Sequence, residues 1–168
     1  MAKQPKTLDA LFHDTLKDIY YAEKKILIAL PKMAKAAQNE ELAAAFEKHK
    51  TETQGQVERL EQVFELIDAK PQGKKCDAIE GILDEGQQIM KEYKGSPALD
   101  AGLLSAAQAV EHYEISRYGT LRTWAEEIGL DRAAELLQQT LDEEEATDRA
   151  LTALAETVVN QEAQRQAA

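Results

Sequence analysis

Glycine, proline and aromatic residues are scarce in this sequence, which has eight glycines, four prolines and 5% aromatic residues. Sheet-based folds depend on β-branched and aromatic residues in their strands and on glycine and proline in their turns, so this scarcity argues against them. Ala, Leu, Glu, Gln and Lys dominate instead, and these residues favour helices. We therefore expect an all-α protein, and the 168 residues suit a single domain over 1–168.

Cysteine, long apolar runs and excess positive charge are also lacking. The single Cys76 cannot form an internal disulfide, and no stretch has the length of a membrane span or the pattern of a signal peptide. These absences predict a cytoplasmic protein that does not enter a membrane. Acidic residues outnumber basic ones 31 to 20, giving a net charge of −11, which argues against nucleic acid as a partner and favours metal cations.

Hydrophobic periodicity and capping residues predict five helices, over residues 8–38, 40–67, 77–94, 97–128 and 132–161. We expect five starts, at Thr7, at Asn39, at Asp77 with Glu80, at Ser96 with Pro97, and at Asp131. Pro31 predicts a kink in the first helix rather than a break, because the apolar stripe continues past it. Nearly loopless turns around Asn39 and Leu130 predict two antiparallel hairpins, joined by one long crossover that contains the short helix.

The helix over 97–128 has an inward stripe that acidic residues interrupt. One face carries seven side chains at helical spacing: Leu104, Ala107, Glu111, Glu114, Tyr118, Leu121 and Ala125. A face of this kind packs against the core of a bundle. Burying an unpaired carboxylate costs several kcal/mol, so two carboxylates one turn apart require cations, protons or hydrogen-bond donors. A metal ion meets this need for both of them.

Acidic residues interrupt the stripes of the other long helices at a similar height. Measured from the turn of its own hairpin, each interruption lies roughly 20 Å away at a rise of ~1.5 Å per residue. The second hairpin repeats the first, with three matched pairs: Glu23 and Glu114, Glu52 and Glu144, Gln56 and Asp148. One layer of the bundle therefore collects seven candidate metal ligands: Glu23, Glu52, Gln56, Glu111, Glu114, Glu144 and Asp148.

Oxygen ligands from four facing helices around two metal ions are typical of ferritin-like carboxylate proteins, in which two helices also contribute Glu-x-x-His. This sequence lacks that histidine, because Gly55 and Thr147 occupy the two positions. Gln56 and Asp148, one residue further on, can take those places. A site rich in oxygen and poor in imidazole favours manganese, ferric iron, magnesium or calcium over zinc or copper. We expect two metal ions, iron or manganese.

The alternative interpretation is that these acids lie on solvated helix faces, as charged runs usually do. Glu143 and Glu145 fit that interpretation, whereas the shared height and inward positions of the seven candidates favour a metal site. His49 is left open between a ligand, a donor that supports a ligand and a structural histidine. His112 points away from Glu111 and is expected outside the site.

Two tyrosines lie one turn from candidate ligands on the same stripes. Tyr20 precedes Glu23, and Tyr118 follows Glu114. A phenol so placed can hydrogen-bond a carboxylate or take part in redox chemistry. Core packing is the favoured interpretation for both.

Four segments of the chain resemble the YciE/YciF-type ferritin-like proteins of bacteria: DIYYAEKKI, HKTETQGQVERLEQVF, AAQAVEHYEISRYGTL and TLDEEEATDRALTALA. The resemblance covers almost the whole chain. It implies a ferritin-like bundle, a homodimer, a cytoplasmic stress-associated protein and a dinuclear metal site, but no known reaction. Many members of that family have His at the position of Gln56.

Two functional hypotheses follow. In the first, the chain is a dinuclear iron or manganese protein of the stress response that reduces peroxide or oxygen, or oxidises iron. In the second, it is a non-catalytic homodimeric bundle that binds metal structurally or serves as an interaction module. A homodimer would bury apolar groups that the bundle leaves outside, for which the sequence suggests Leu11, Leu27, Ile28 and Phe64.

Overall fold

The computed structural model describes residues 6–165, which form helices joined by short connections. We number them α1 (Leu8–Ala36), α2 (Glu40–Leu66), α3 (Asp77–Glu92), α4 (Leu99–Glu127), α5 (Asp131–Leu154) and α6 (Asn160–Arg165), with one turn of π-helix over Ala155–Val159 between the last two. No strand occurs in the described range. The all-α, ferritin-like four-helix bundle with a helix in its crossover is therefore confirmed.

The first two helices begin at the capping residues that the sequence indicates. Thr7 Oγ1 accepts the backbone N–H of Ala10 at 3.3 Å, and Asn39 Oδ1 accepts that of Leu42 at 3.0 Å. Each bond satisfies one of the free donors of a helix N-terminus. α1 remains a single helix through Pro31, so the expectation that this proline does not break it is confirmed.

The predicted starts of the other three helices are wrong in detail. The cap of α3 is Cys76, whose Sγ accepts the N–H of Ile79 at 3.4 Å, while Glu80 instead accepts a hydrogen bond from Tyr21 and pairs with Lys25. α4 begins at Leu99 rather than Pro97, because the chain first makes a turn in which Ser96 O accepts the N–H of Leu99 at 3.1 Å. Asp131 is the first residue of α5 and does not cap it.

The bundle consists of two hairpins, α1 with α2 and α4 with α5, that pack so that α2 contacts α5 and α1 contacts α4. α3 lies in the crossover against α1 and α4. One buried carboxylate joins the hairpins at the end where the first one turns. Asp100 accepts the backbone N–H groups of Gln38 at 2.8 Å and Asn39 at 2.7 Å, so the start of α4 is fixed against the first turn.

The core runs along the four long helices and is apolar, with aliphatic and aromatic side chains, towards both ends of the bundle. Leu16, Ile19 and Leu103 are completely buried. Phe64 is also completely buried, so its assignment to the outer surface was wrong, whereas Leu11 and Ile28 are exposed. Within residues 6–165, none of the helices combines the length and apolar character of a membrane span.

Candidate metal centre

Midway along the bundle the aliphatic core gives way to a buried cluster of ionisable side chains from all four long helices. Its members are Glu23 from α1, His49 from α2, Glu111 and Glu114 from α4, and Glu144 from α5. None of them is more than 3% exposed. One atom from each of His49, Glu111, Glu114 and Glu144 can be chosen so that all four lie within 4.8 Å of one another, and Glu23 adjoins them through Glu114. This is the spacing that a metal ion requires of its ligands.

Burial and mutual repulsion raise the pKa values of all four glutamates. Burial raises the pKa of Glu23 to about 8, and the charge of Glu144 adds to the effect. The pKa of Glu144 rises to about 7, again chiefly through burial, although the neighbouring Glu111 and Gln56 side chains oppose the rise. Burial and the charge of Glu144 hold the pKa values of Glu111 and Glu114 well above the ordinary range. The cluster therefore favours protons or cations near neutral pH.

His49 lies on the face of α2 that meets the glutamates. Its Nε2 is 3.4 Å from Glu111 Oε1, but neither ring nitrogen has a hydrogen-bond partner among the described residues. Burial lowers the pKa of His49 to about 4, so the imidazole is neutral at physiological pH. A neutral imidazole with a free nitrogen is the form that binds metal ions.

Tyr118 of α4 contacts the carboxylate that α1 contributes to the cluster. Its hydroxyl is completely buried and donates a hydrogen bond to Glu23 Oε1. Burial and the neighbouring Glu23 charge hold the pKa of this phenol well above its usual range, so it remains a proton donor. The core-packing interpretation of Tyr118 is correct, but the side chain also contacts the cluster. Tyr20 does not, because its hydroxyl donates to Glu61 at 2.8 Å.

The number of buried polar atoms without a partner tests whether these residues fit a metal. Eight such atoms belong to the five clustered residues: Glu23 Oε2, Glu111 Oε2, both oxygens of Glu114, both oxygens of Glu144 and both ring nitrogens of His49. Leaving a buried polar atom unsatisfied costs about 1–3 kcal/mol, and native proteins contain few such atoms. When the glutamates are ionised, the six oxygens and one of the two His49 nitrogens offer lone pairs, because a neutral imidazole keeps a proton on its other nitrogen. The donor set therefore fits divalent or trivalent cations.

Gln56 is held beside the cluster by groups on its outer side. Its Nε2 donates to Glu143 Oε2 at 3.1 Å, which leaves its buried Oε1 without a partner. Arg59 fixes Glu143 with two hydrogen bonds of 2.8 and 3.1 Å and donates to Thr140 Oγ1 at 2.6 Å. The interpretation of Glu143 as a solvated acid is therefore wrong, since this carboxylate bridges α2 and α5.

Two of the seven candidate ligands lie at the edge of the cluster. The carboxylate of Glu52 pairs with Lys48 at 2.9 Å through Oε1, while its Oε2 is buried without a partner. Asp148 accepts from Gln108 Nε2 at 3.1 Å and lies 3.2 Å from His112 Nε2. Both side chains are about a quarter exposed or less. Besides burial, the charge of Asp148 raises the pKa of Glu111, and that of Glu52 raises the pKa of Glu144, so both carboxylates lie near the cluster.

Sequence periodicity therefore predicted that the candidate ligands share one layer of the bundle, but not which of them lie at its centre and which at its edge. The structure brings Glu23, Glu111, Glu114 and Glu144 together, sets Gln56 beside them, and leaves Glu52 and Asp148 at the rim. Its central imidazole is His49, which the sequence left open among three roles. The sequence feature that pointed to His49 was its inward position one turn before Glu52. His112 lies outside the cluster, as expected.

Comparison with known proteins agrees with this architecture. The model of the family described as Domain of unknown function (DUF892) matches residues 7–164. Protein YciF of Escherichia coli (strain K12) is 46% identical over 163 residues, which are 96% of this chain and 98% of YciF. The crystal structure of that E. coli stress protein matches with a TM-score of 0.88 over 93% of this chain and 99% of the other.

Two further solved structures are similar. YcfI from Rhodopseudomonas palustris, considered a candidate structural protein, is 44% identical, with a TM-score of 0.86 over 90% of this chain and 97% of YcfI. A protein from Xanthomonas campestris pv. campestris shares the fold at 22% identity, with a TM-score of 0.74 over 96% of this chain and 98% of the other. The chain therefore belongs to the YciF-type family that is described as a domain of unknown function, DUF892.

Proposed function

We propose that this chain is a dinuclear iron or manganese protein of the bacterial stress response. One observation carries the proposal: four buried glutamates and a neutral histidine from four helices face one another with eight unpartnered polar atoms. The description of YciF as a stress protein supports the physiological setting. The reaction that we propose is reduction of peroxide or oxygen, or oxidation of iron.

The proposed ligands are the seven residues selected from the sequence together with His49: Glu23, His49, Glu52, Gln56, Glu111, Glu114, Glu144 and Asp148. When bound, a pair of iron or manganese ions supplies redox chemistry that the side chains of the cluster do not provide. The excess of carboxylates favours the higher oxidation states of those ions. Tyr118 holds a proton on its buried hydroxyl beside Glu23 and is placed to donate it.

Metal analysis of the protein purified without chelator tests the proposal directly. About two equivalents of iron or manganese per chain are expected, as in other carboxylate bundles of this type. Anaerobic loading followed by peroxide should then give a fast optical change that is lost in Glu111→Ala. Failure of the loaded protein to consume peroxide or oxygen would remove the enzymatic part of the proposal.

The alternative is a non-catalytic homodimeric bundle that binds metal structurally or acts as an interaction module. The description of YcfI as a candidate structural protein favours this second function. Calcium, magnesium or no bound metal in the same analysis would support it, because those ions have no redox chemistry to offer.

We further propose that the protein is a cytoplasmic homodimer whose partners are metal ions rather than nucleic acid or membranes. The net charge of −11 supports the choice of cations over polyanions. Exposed apolar side chains support self-association, with Ile28 60% exposed and Leu11 48% exposed.

A further inference from the structure

A small cavity adjoins the cluster on the side of His49 and Glu111. Its other walls are almost entirely apolar, contributed by the long helices and by Leu83 of α3, and the only other polar residue in the lining is Thr147. About 10 Å³ is open to the centre of a water-sized molecule, which is the room that one such molecule needs.

A larger groove lies directly outside this cavity, where α1, α3 and α4 meet. It encloses about 170 Å³, and its rim carries polar side chains such as Lys25, Lys32, Asp84 and Gln87. Four residues line both the groove and the inner cavity: Ala29, Met33, Leu83 and Val110. A single layer of side chains therefore separates the surface groove from the cavity beside His49.

The chemistry of this layer selects what can pass through it. All four residues are apolar, so a hydrated cation would have to lose water contacts without replacement, at a cost of several kcal/mol. Hydrogen peroxide would likewise give up its hydrogen bonds. A small apolar molecule has no such cost, and rotamer changes of Met33 and Leu83 are the motions that would open the layer to it.

We infer that the crossover helix α3 and helix α1 form an access path through which an uncharged oxidant of the size of dioxygen reaches the His49 side of the cluster. The inference rests on the proposed function for the identity of the ligand. It gives the crossover a second role besides connecting the hairpins, because Leu83 of α3 is part of the layer that the oxidant must cross.

Paramagnetic relaxation by dissolved oxygen tests the path in the metal-free protein. In methyl NMR spectra under oxygen, the methyl protons of Ile26, which lines only the inner cavity, should relax at least about twofold faster than those of Leu103, which is fully buried and lines neither cavity. Ala29→Leu narrows the path and should remove this difference. Ala44→Leu, the same change on an exposed position of α2, should preserve it.

A second variant, which widens the path instead of narrowing it, still tests the inference if Ala29→Leu perturbs packing. Leu83→Ala should increase the oxygen effect at Ile26, whereas equal relaxation at Ile26 and Leu103 in the wild type would overturn the inference. Since no metal is needed, this result is independent of whether the protein proves to be a metalloprotein. In the metal-loaded protein, Ala29→Leu should slow oxidation by dioxygen severalfold without changing metal uptake, and an unchanged rate would also overturn the path.

Discussion

At the scale of single residues, Glu114 and Glu144 are the clearest tests of the ligand layer. Both oxygens of each are buried without partners, so Glu114→Ala and Glu144→Ala should each abolish metal binding. Helicity should be largely retained and stability of the metal-free protein should hold or rise, because each change removes a buried carboxyl group that lacks a partner when no metal is bound. Isothermal titration and far-UV circular dichroism measure the two effects. The matched control is Glu127→Ala on an exposed position of α4, and wild-type metal affinity in either test variant would disprove the layer.

The glutamates also predict how the stability of the metal-free protein depends on pH. Their folded pKa values, about 7 for Glu144 and about 8 for Glu23, exceed the usual 4.5. The folded state therefore keeps protons that the unfolded chain has lost, and the resulting stability, fully present at low pH, disappears as pH rises through these values. His49, with a pKa lowered to about 4 from 6.5, acts in the opposite direction only below about 6.5.

Between about pH 6.5 and 8.5 the free energy of unfolding should consequently fall by up to about 1.4 kcal/mol per pH unit for each extra proton bound. Urea denaturation of the metal-free protein at three pH values in this window measures the slope. Metal affinity should rise over the same window, because cations displace the protons. A metal-free stability that is constant or increases with pH would contradict the assignment of the buried protons.

Removal of the Tyr118 hydroxyl tests its hydrogen bond to Glu23 separately from the ligands. Tyr118→Phe leaves the ring in the core and removes the hydrogen bond to Glu23, which should destabilise the metal-free protein by about 1–3 kcal/mol. Chemical denaturation measures this loss, and Tyr93→Phe on an exposed tyrosine is the control. Slower turnover of the metal-loaded variant would show that the phenol also donates a proton or an electron, whereas unchanged stability would contradict the hydrogen bond.

At the scale of helices, Arg59 and Glu143 connect α2 to α5 beside Gln56. Arg59→Met and Glu143→Gln should be coupled by about 1–3 kcal/mol in a double-mutant cycle, since the pair is bidentate and partly buried. Glu143→Gln should also weaken metal binding, because the Nε2 of Gln56 loses its charged acceptor. The surface pair of Arg132 and Glu135 serves as the control cycle and should give a coupling near zero to 1 kcal/mol. Purely additive effects at Arg59 and Glu143 would show that the bridge is not formed.

Hydrophobic periodicity predicted the helices well because every long helix buries one apolar stripe, and the spacing of apolar residues in the sequence indicates that stripe. Helix starts were predicted less well. Cys76 caps α3 through its sulfur, although cysteine is not among the usual capping residues. A turn at Ser96 also comes before α4, which begins only at Leu99. Ser96 and Pro97 favour a helix start, but they do not decide where the preceding chain completes its turn.

The candidate site was predicted to the level of a layer but not to the level of an atom. Inward positions at one height follow from sequence alone, so Glu23, Glu111, Glu114 and Glu144 could be selected. Whether a side chain ends in the cluster or at its rim depends on partners from other helices, as with Gln108 of α4 for Asp148 of α5. Those contacts are tertiary, and helical spacing carries no information about them.

At the scale of the whole molecule, the exposed apolar side chains predict a homodimer. Light scattering at micromolar concentration should give twice the chain mass of 18.7 kDa, because association would bury groups such as Leu11 and Ile28. Leu11→Lys should shift the equilibrium towards the monomer if that residue lies in the interface. A monomeric wild-type protein under these conditions would contradict the prediction.

The carboxylate of Asp100 has a consequence for the order in which the molecule folds. Its bonds to Gln38 and Asn39 join residues 62 and 61 positions apart, whereas each hairpin closes through a turn of a few residues. Local closure is fast, and contacts between distant segments form later. Asp100 therefore acts after both hairpins exist, when they dock. Its interactions belong to the last stage of assembly, so losing them should accelerate unfolding far more than it slows folding.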